Sequence, residues 1–285
     1  MKQGRVAPVF GPGGSSEAFH RTKMKTEDTP IWLSEIGLDA YEYEAGRGVS
    51  ASDAALTRLG ENARAHGIYV SVHAPYFISL SGVVPETRYK SISYIAESLH
   101  AASLLGADTI VVHTGSAAKI TRAEAMSLAA DTLYHTLEKL APVDTVIGLE
   151  TMGKLNQLGT LDEVITLCKM DPRLQPVVDF GHMNAREQGG VFQTTDDYIR
   201  VFDTIANALG DDSARNLHCH FSKIEWTAAG EKRHLTFEDS MYGPDFEPFM
   251  EALYKEKLTP TVISESAGTQ SEDALAMKTH YFSLQ

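Results

Sequence analysis

Short runs rich in β-branched and apolar residues alternate with longer stretches of helical periodicity along the chain. The predicted strands are Val6–Phe10, Asp39–Glu44, Ile68–His73, Thr109–His113, Val146–Glu150, Pro176–Asp179, Asn216–His220 and Thr261–Glu265. Parallel strands need a crossover connection, usually a helix, so this alternation predicts an α/β protein with a parallel sheet. Eight such units in 285 residues are typical of a (β/α)8 TIM barrel, and we expect a single domain over residues 1–285.

The segments between the strands carry the local signals of helices. The predicted helices are Ser52–His66, Glu86–Leu105, Thr121–Leu140, Thr160–Met170, Thr195–Leu209, Asp245–Glu256 and Ser271–Phe282. Thr121 with Glu124, and Thr160 with Glu163, have the spacing of capping boxes, and Gly106 stands where a helix C-cap is expected. A doubly wound open sheet is the alternative fold. Because no Gly-x-Gly-x-x-Gly motif follows the first strand, its dinucleotide-binding form has no support.

Six consecutive predicted strands end in a residue that can bind a metal ion. These residues are His73, His113, Glu150, Asp179, His218 and Glu265. In a parallel barrel the carboxyl ends of all strands meet at one face, where active sites are built, so we expect the six side chains to form a ring there. Three carboxylates brought together repel one another unless cations separate them. Imidazole and carboxylate ligands without thiolate favour Zn²⁺, Mn²⁺ or Fe²⁺ over Mg²⁺ alone.

Three further histidines extend this predicted ring. His182 follows Asp179 by three residues, and His234 closes the segment Glu231–His234. Side chains two residues apart on a strand point the same way, so we expect His220 to face the same side as His218. His220 is also explained as a polar residue of the barrel interior, and the pattern leaves its role open.

Five segments together resemble the endonuclease IV family of apurinic/apyrimidinic (AP) endonucleases. They are His73–Phe77, His113–Ser116, Leu149–Thr151, Asp179–His182 and Ser264–Ser266. The resemblance runs in order from about residue 35 to residue 265 and identifies the chain as a divergent member of the xylose isomerase-like TIM barrels. It implies a zinc-dependent hydrolase that acts in base-excision repair, cutting duplex DNA 5′ to abasic sites.

The resemblance also implies which residues bind two or three zinc ions. His73 and His113 would hold one ion, and Glu150 would bridge it to a second and position the hydroxide nucleophile. The other implied ligands are Asp179, His218 and Glu265 for the second ion, and His182 and His234 for the third. Tyr76 stands where the family places a residue that intrudes into the duplex beside the abasic site.

The third implied metal site departs from the family pattern. The family has an Asp-Arg-His triplet where this chain reads Lys232-Arg233-His234. A lysine ammonium cannot bind a metal, so either Glu231 or His220 supplies the missing ligand, or the third metal is weakly held or missing. Because exchanging an anionic ligand for a neutral one weakens the hold on Zn²⁺, we expect this ion to be held most weakly. We expect Lys232 to point outward.

The charge of the chain supports a competing function. A net charge of −13 repels nucleic acid unless bound cations reverse the local field. The alternative is a divalent-metal sugar isomerase or epimerase of the xylose isomerase-like group, whose Glu/Asp/His/Glu metal site is matched by Glu150, Asp179, His218 and Glu265. The His73/His113 pair, which a one-metal isomerase does not need, favours the nuclease. A metal-binding barrel without catalytic activity is a third, weaker alternative.

The remaining sequence features exclude several classes of protein. No apolar run approaches the ~20 residues that span a bilayer, and no apolar segment follows Met1–Arg5 as a secretory signal would require. Cys168 and Cys219 are the only cysteines, too few for a disulfide framework or a thiolate zinc site. We therefore expect a cytoplasmic protein with no membrane association, and nothing in the sequence implies a protein partner.

Overall fold

The computed structural model describes residues 4–140 and 144–285, and its central feature is a ring of parallel strands. The strands in chain order are β1 Val9–Pro12, β2 Ala40–Glu44, β3 Tyr69–His73, β4 Thr109–His113, β5 Val146–Glu150, β6 Leu174–Asp179, β7 His218–Phe221, β8 Ile224–Thr227, β9 Gly230–His234 and β10 Thr261–Ser264. Eight of them form one sheet in the order β1-β10-β7-β6-β5-β4-β3-β2, and β8 pairs with β9.

The sheet closes on itself between β1 and β2. The Asp39 N–H donates to the Phe10 carbonyl at 2.9 Å, and the Gly14 N–H donates to the Glu42 carbonyl at 2.9 Å. Gly11 permits this approach, because a Cβ there would lie 1.7 Å from the Ala40 carbonyl oxygen. The predicted α/β TIM barrel is therefore confirmed.

Helices surround the barrel and connect its strands. They are α1 Glu17–Thr22, α2 Thr29–Glu35, α3 Asp53–His66, α4 Pro85–Leu105, α5 Arg122–Lys139, α6 Leu161–Cys168, α7 Phe180–Arg186, α8 Thr195–Leu209, α9 Asp211–Arg215, α10 Glu247–Lys255 and α11 Gln270–Ser283, with a 3₁₀ helix at Thr26–Asp28. The predicted capping boxes begin α5 and α6, and Gly106 ends α4 at a positive φ of 72°. In the described part of the chain, no helix is both long and apolar enough to cross a membrane.

Several parts of the chain differ from the sequence prediction: β1 begins at Val9 instead of Val6, the helices α1, α2, α7 and α9 were not predicted, and two further differences affect the barrel mouth. Strand β7 begins at His218 instead of Asn216, because its ladder starts where His218 pairs with Val177 and Thr261. The hairpin of β8 and β9 was not predicted. Its two-residue turn lacks the Asn-Gly or Asp-Gly signal of most tight hairpins, and its strands are largely polar.

The hydrophobic core lies between the strands and the surrounding helices. Phe180, Phe221 and Phe249 form part of it, with ring centroids 4.6 Å apart for Phe180 and Phe249 and 5.5 Å apart for Phe221 and Phe249. Since side chains alternate along a strand, Phe221 faces this core while His218 and His220 face the barrel interior. Both histidines there contact Glu42 of β2 from across the barrel. The interior below the mouth is thus polar.

Candidate metal centre

A cavity of about 480 Å³ opens at the carboxyl ends of the barrel strands. Its charged and imidazole-bearing lining residues are Glu44, His73, His113, Glu150, Lys154, His182, Glu231, His234 and Glu265. Among these described residues, Lys154 is the only side chain with a permanent positive charge. The lining is therefore dominated by carboxylate and imidazole groups.

Glu150, the last residue of β5, lies at the centre of this cluster and is fully buried. Its Oε2 lies 3.2 Å from His113 Nε2 and 3.6 Å from His73 Nε2. Its Oε1 lies 2.9 Å from His220 Nδ1 and 3.6 Å from His182 Nδ1. Burial alone would raise the pKa of the Glu150 carboxyl, but the adjacent His113 and His220 imidazoles hold it well below its ordinary value. The carboxylate is therefore ionised, with imidazoles at both oxygens.

Neighbouring acceptors fix the orientation of two of these rings. His73 Nδ1 lies 2.8 Å from the Ala74 carbonyl oxygen, and His182 Nδ1 lies 3.0 Å from the Thr151 carbonyl oxygen. Because a carbonyl can only accept, Nδ1 carries a proton in each contact, and each ring would present its Nε2 lone pair to a bound metal ion. His73 then directs Nε2 toward Glu150, and His182 directs Nε2 toward Glu231, whose Oε2 lies 3.5 Å away. Such support of metal-binding histidines is a general feature of metal sites.

Two more carboxylates complete the cluster. Asp179 accepts the His182 N–H at 2.6 Å through Oδ1, and this contact begins α7 directly after β6. Glu265 Oε1 lies 3.3 Å from His220 Nδ1, and its Oε2 lies 4.0 Å from His234 Nδ1. Burial raises the pKa of Glu265 well above its usual value, with His220 opposing the shift.

The arrangement fits divalent cations. Five sets of described residues have potential ligand atoms within 4.8 Å of one another, and three of them contain only predicted site residues: His73/Glu150/His220/Glu265, Glu150/Asp179/His182 and His182/His234/Glu265. Glu150 Oε2 and Asp179 Oδ2 are buried and have no hydrogen-bond partner among the described residues. Such buried oxygens are costly unless a donor or a cation satisfies them. The mixture of imidazole and carboxylate suits Zn²⁺, Mn²⁺ or Fe²⁺.

The structure exchanges the positions that the sequence predicts for the two histidines of β7. The sequence predicts His218 as a ligand beside Asp179 and Glu265, but His218 lies one layer deeper, with Nε2 2.9 Å from Glu42 Oε2. His220 occupies the place beside Glu150 and Glu265 instead. The reason is the later start of β7, which puts the mouth of the barrel two residues further along the chain.

The other predicted site residues lie as follows. Glu231, and not His220, is the group beside His182, while Lys232 points outward and pairs with Glu225 at 2.6 Å. His234 Nδ1 lies 2.8 Å from Ser222 Oγ at the edge of the cluster. Tyr76 lines the cavity and is 55% exposed.

Two acidic residues of β2 belong to the cluster without having been predicted. Glu44 lines the cavity, and Glu42 lies beneath it. The Glu44 side chain is exposed at the cavity wall, whereas Glu42 is fully buried. A signal existed in the sequence, because Glu44 ends its strand just as Glu150 ends β5.

The loop after β5 forms one side of the cavity and is held by two arginines, Arg186 and Arg122, of which Arg122 donates to the carbonyls of Leu155 and Gln157. Arg186 of α7 donates from Nη1 to the carbonyls of Met152 at 3.2 Å and Lys154 at 2.8 Å, and from Nη2 to Leu155 at 3.2 Å. Because Arg186 lies one helical turn after His182, the same short helix positions a candidate ligand and this loop.

A glycine contact joins the same loop to the β8–β9 hairpin. The Glu231 N–H donates to the Gly153 carbonyl at 3.1 Å, and the Leu155 N–H donates to the Ala229 carbonyl at 3.1 Å. A Cβ on Gly230 would lie 2.2 Å from the Gly153 carbonyl oxygen, and Gly230 has a φ of +89°. The close approach therefore requires glycine, and it places Glu231 beside His182.

Comparison with known protein families gives one match over most of the chain. The family model described as xylose isomerase-like TIM barrel matches residues 31–280. An uncharacterised protein of Methanocaldococcus jannaschii is 29% identical over 248 residues, which are 86% of this chain and 88% of that protein. A probable endonuclease 4 of Mycoplasma genitalium is 31% identical over 198 residues, 68% of this chain and 64% of that protein. The chain thus spans less than two thirds of that second relative.

Solved structures share the fold at lower identity. The 3-keto-D-glucoside 4-epimerase from E. coli superposes with a TM-score of 0.69 at 18% identity, over 95% of this chain and 99% of that one. Endonuclease IV from Thermus thermophilus superposes with a TM-score of 0.65 at 18% identity, over 97% of this chain and 98% of that one. An epimerase and a nuclease therefore resemble the chain about equally in fold, and the site must decide between them.

Proposed function

Because the chain belongs to the xylose isomerase-like TIM barrel family, we propose that it is a metal-dependent phosphodiesterase that cuts DNA 5′ to abasic sites. One observation carries the proposal: the two oxygens of Glu150 face different imidazoles. His73 and His113 lie at Oε2, and His220 lies at Oε1. A carboxylate placed this way can bridge two divalent ions. A one-metal sugar isomerase has no use for the first histidine pair.

We assign the ligands by the family resemblance, with His220 and Glu231 taken from their positions beside Glu150 and His182. His73, His113 and Glu150 would hold one ion, and Glu150, Asp179, His220 and Glu265 would hold a second. His182, Glu231 and His234 would hold a third. Divalent ions bound there would neutralise the phosphodiester and make a water acidic enough to act as the nucleophile near neutral pH. Zn²⁺ suits these ligands, with Mn²⁺ and Fe²⁺ as alternatives.

The chain's own residues provide the other requirements of the reaction. Glu150 orients the attacking group between the two ion positions, and Lys154 offers a positive charge to a phosphate oxygen. The half-exposed Tyr76 ring stands at the rim, where it can contact an unstacked position in the duplex. An abasic nucleotide leaves the duplex at low cost because it has no base to unpair. The similarity to a probable endonuclease 4 of Mycoplasma genitalium supports the same activity.

A sugar isomerase or epimerase is the second candidate function. It is favoured by the acidic lining of the cavity and by Glu150, Asp179, His220 and Glu265, which form a Glu/Asp/His/Glu set at the barrel mouth. In that reaction two carboxylates move protons at carbons beside a carbonyl. The His73/His113 pair remains unexplained by it.

The test is incision of a 5′-labelled duplex that carries one abasic-site analogue, together with metal analysis of the purified protein. We expect a shortened product with a 3′-hydroxyl that a polymerase extends, no cutting of the intact duplex, and loss of incision on chelation with recovery on adding Zn²⁺ or Mn²⁺. Two or three ions per chain would support the nuclease. One ion per chain, no incision, and turnover of a ketose would establish the isomerase instead.

A further inference from the structure

A carboxylate lies inside the barrel, one layer below the proposed metal ligands. Glu42 of β2 is fully buried and stands across the barrel from β7. Because Glu42 lies between the cavity and the polar interior, it can support the residues of the candidate metal centre from below. It is too deep to touch a substrate in the cavity.

The two oxygens of Glu42 have different partners. Oε2 accepts the Ser71 hydroxyl at 2.7 Å and lies 2.9 Å from His218 Nε2. Oε1 lies 2.8 Å from His220 Nε2 as a close ion pair that is not aligned as a hydrogen bond, and both atoms are buried without a hydrogen-bond partner in the described ranges. The carboxylate is therefore anchored at one oxygen and presents the other to His220.

His220 stands between Glu42 and the candidate metal centre. Its Nδ1 lies 2.9 Å from Glu150 Oε1 and 3.3 Å from Glu265 Oε1, while its Nε2 faces Glu42. A neutral imidazole that binds a metal through Nδ1 carries its proton on Nε2, and that proton needs an acceptor. Oε1 of Glu42 is the acceptor within reach.

We propose that Glu42 is a positioning residue: it holds the Nε2 proton of His220 and thereby keeps Nδ1 turned toward the metal site. This inference rests on the metal site proposed above. It also explains the His218-x-His220 pattern, in which His220 supplies the ligand. His218, together with Ser71, fixes the carboxylate that orients His220.

A metal ion among Glu42, His218 and His220 is the competing interpretation, since their potential ligand atoms also lie close together. Glu42 Oε2 is already paired, because it accepts the Ser71 hydroxyl at 2.7 Å and lies at hydrogen-bond distance, 2.9 Å, from His218 Nε2. Glu42 and His218 also do not line the cavity. These two features favour a supporting carboxylate over a further ion.

The test is Zn²⁺ affinity of the purified protein, titrated against a chromophoric chelator, for wild type and Glu42→Gln. The amide keeps the size of the side chain and loses its charge. We expect the ion held by His220 to bind about 10–100-fold more weakly, as when other supports of a ligand histidine are removed. Asp108→Asn is the matched control, because this half-buried carboxylate accepts from Thr109 Oγ1 at 3.0 Å at the opposite end of the barrel. We expect its Zn²⁺ affinity to equal wild type.

A second readout separates positioning from general destabilisation. In Zn²⁺-loaded protein labelled with ¹⁵N-histidine, the His220 ring is expected to carry its proton on Nε2, and Glu42→Gln should shift that resonance. If Glu42→Gln does not fold, Ser71→Ala keeps the carboxylate and removes one anchor, with a smaller loss of affinity expected.

Three outcomes would overturn the inference, and they are distinguishable. A folded Glu42→Gln protein with wild-type affinity and an unchanged His220 resonance would remove the positioning role. Loss of one complete ion from Glu42→Gln, with unchanged affinity for the others, would make Glu42 a ligand. Wild-type protein that binds no Zn²⁺ would overturn the proposed metal centre itself, and the role of Glu42 with it.

Discussion

Two walls of the cavity are built in different ways. The strand wall consists of His73, His113, Glu150 and His220, which stand on β3, β4, β5 and β7. The hairpin wall consists of Glu231 and His234 on β9 and Lys154 on the loop after β5. Parallel ladders fix the strand wall on both sides, with Glu150 opposite Val177 on one side and His113 on the other. The hairpin wall depends on one two-stranded ribbon and a glycine contact.

This difference indicates how firmly each wall holds an ion. A two-stranded hairpin is marginal by itself and takes its stability from what it packs against. Glu150 and His220 are fully buried, whereas the His234 side chain is 26% exposed. We therefore expect the strand wall to carry the tightly bound ions and the hairpin wall to carry a weaker one.

The largest expected effect comes from the strand wall. His113→Ala should remove one ion and leave the ligands Asp179, His220 and Glu265 occupied, because they come from other strands. Incision of abasic duplex should fall by orders of magnitude, since activation of the nucleophile needs the missing ion. Metal analysis and single-turnover incision measure both effects. Unchanged incision with no ion lost would contradict the assignment.

The control for this variant is a histidine outside the site. His135 on α5 lies near Asp131 and Glu138, with its side chain 39% exposed. His135→Ala removes the same imidazole and should leave metal content and incision at the wild-type values.

The next effect tests the glycine contact of the hairpin wall. Gly230→Ala should displace the hairpin, because the new Cβ would lie 2.2 Å from the Gly153 carbonyl oxygen at a φ of +89°. We expect a loss of stability of about 1–3 kcal/mol from the backbone conformation alone. The ion held by His182 and Glu231 should be lost while the strand wall keeps its own. Thermal unfolding and metal counting measure the two effects.

Gly37→Ala provides the matched comparison. Gly37 has a φ of +85°, and a Cβ there meets no atom within 4 Å. This variant should lose stability through its backbone conformation and keep every ion. Equal metal loss in both glycine variants would show that the hairpin contact has no special role.

A smaller effect is expected from Glu231 alone. Glu231→Gln replaces the carboxylate 3.5 Å from His182 Nε2 with a neutral amide, and the ion of the hairpin wall should bind roughly tenfold or more weakly. In stepwise chelation of the wild type, the ion of the hairpin wall should leave before the other ions. From Glu231→Gln, the same ion should leave at a lower chelator concentration. Glu225→Gln changes a carboxylate on the same hairpin that pairs outward with Lys232 and Arg233, and it should match wild type. If both variants release their ions alike, Glu231 is not a ligand.

The sequence predicts the strand wall better than the hairpin wall, for physical reasons. The bounds of β4 and β5 follow directly from short apolar runs, so His113 and Glu150 are placed at the mouth from sequence alone. The start of β7 depends on pairing with β6 and β10, which no local pattern encodes, and its two-residue difference exchanges His218 for His220. The hairpin wall depends on a turn without a turn signal. The role of Glu42 could not be predicted from the sequence, because its histidine partners lie on the far side of the barrel.

The smallest expected effect concerns the charge of the hairpin wall. Lys154→Met removes the one permanent positive charge among the described cavity residues. If Lys154 pairs with one DNA phosphate, binding of abasic duplex should weaken modestly, and the slope of log affinity against log salt should become about 0.9 shallower, the value of one released counterion. The maximal incision rate and the metal content should stay unchanged.

Lys169→Met loses the same charge at the end of α6, on the opposite face of the barrel, and should keep the wild-type slope. Equal slopes for the two variants would show that Lys154 touches no phosphate. Recognition of the anion would then depend on the bound ions alone, and the two walls would differ only in how tightly they hold metal.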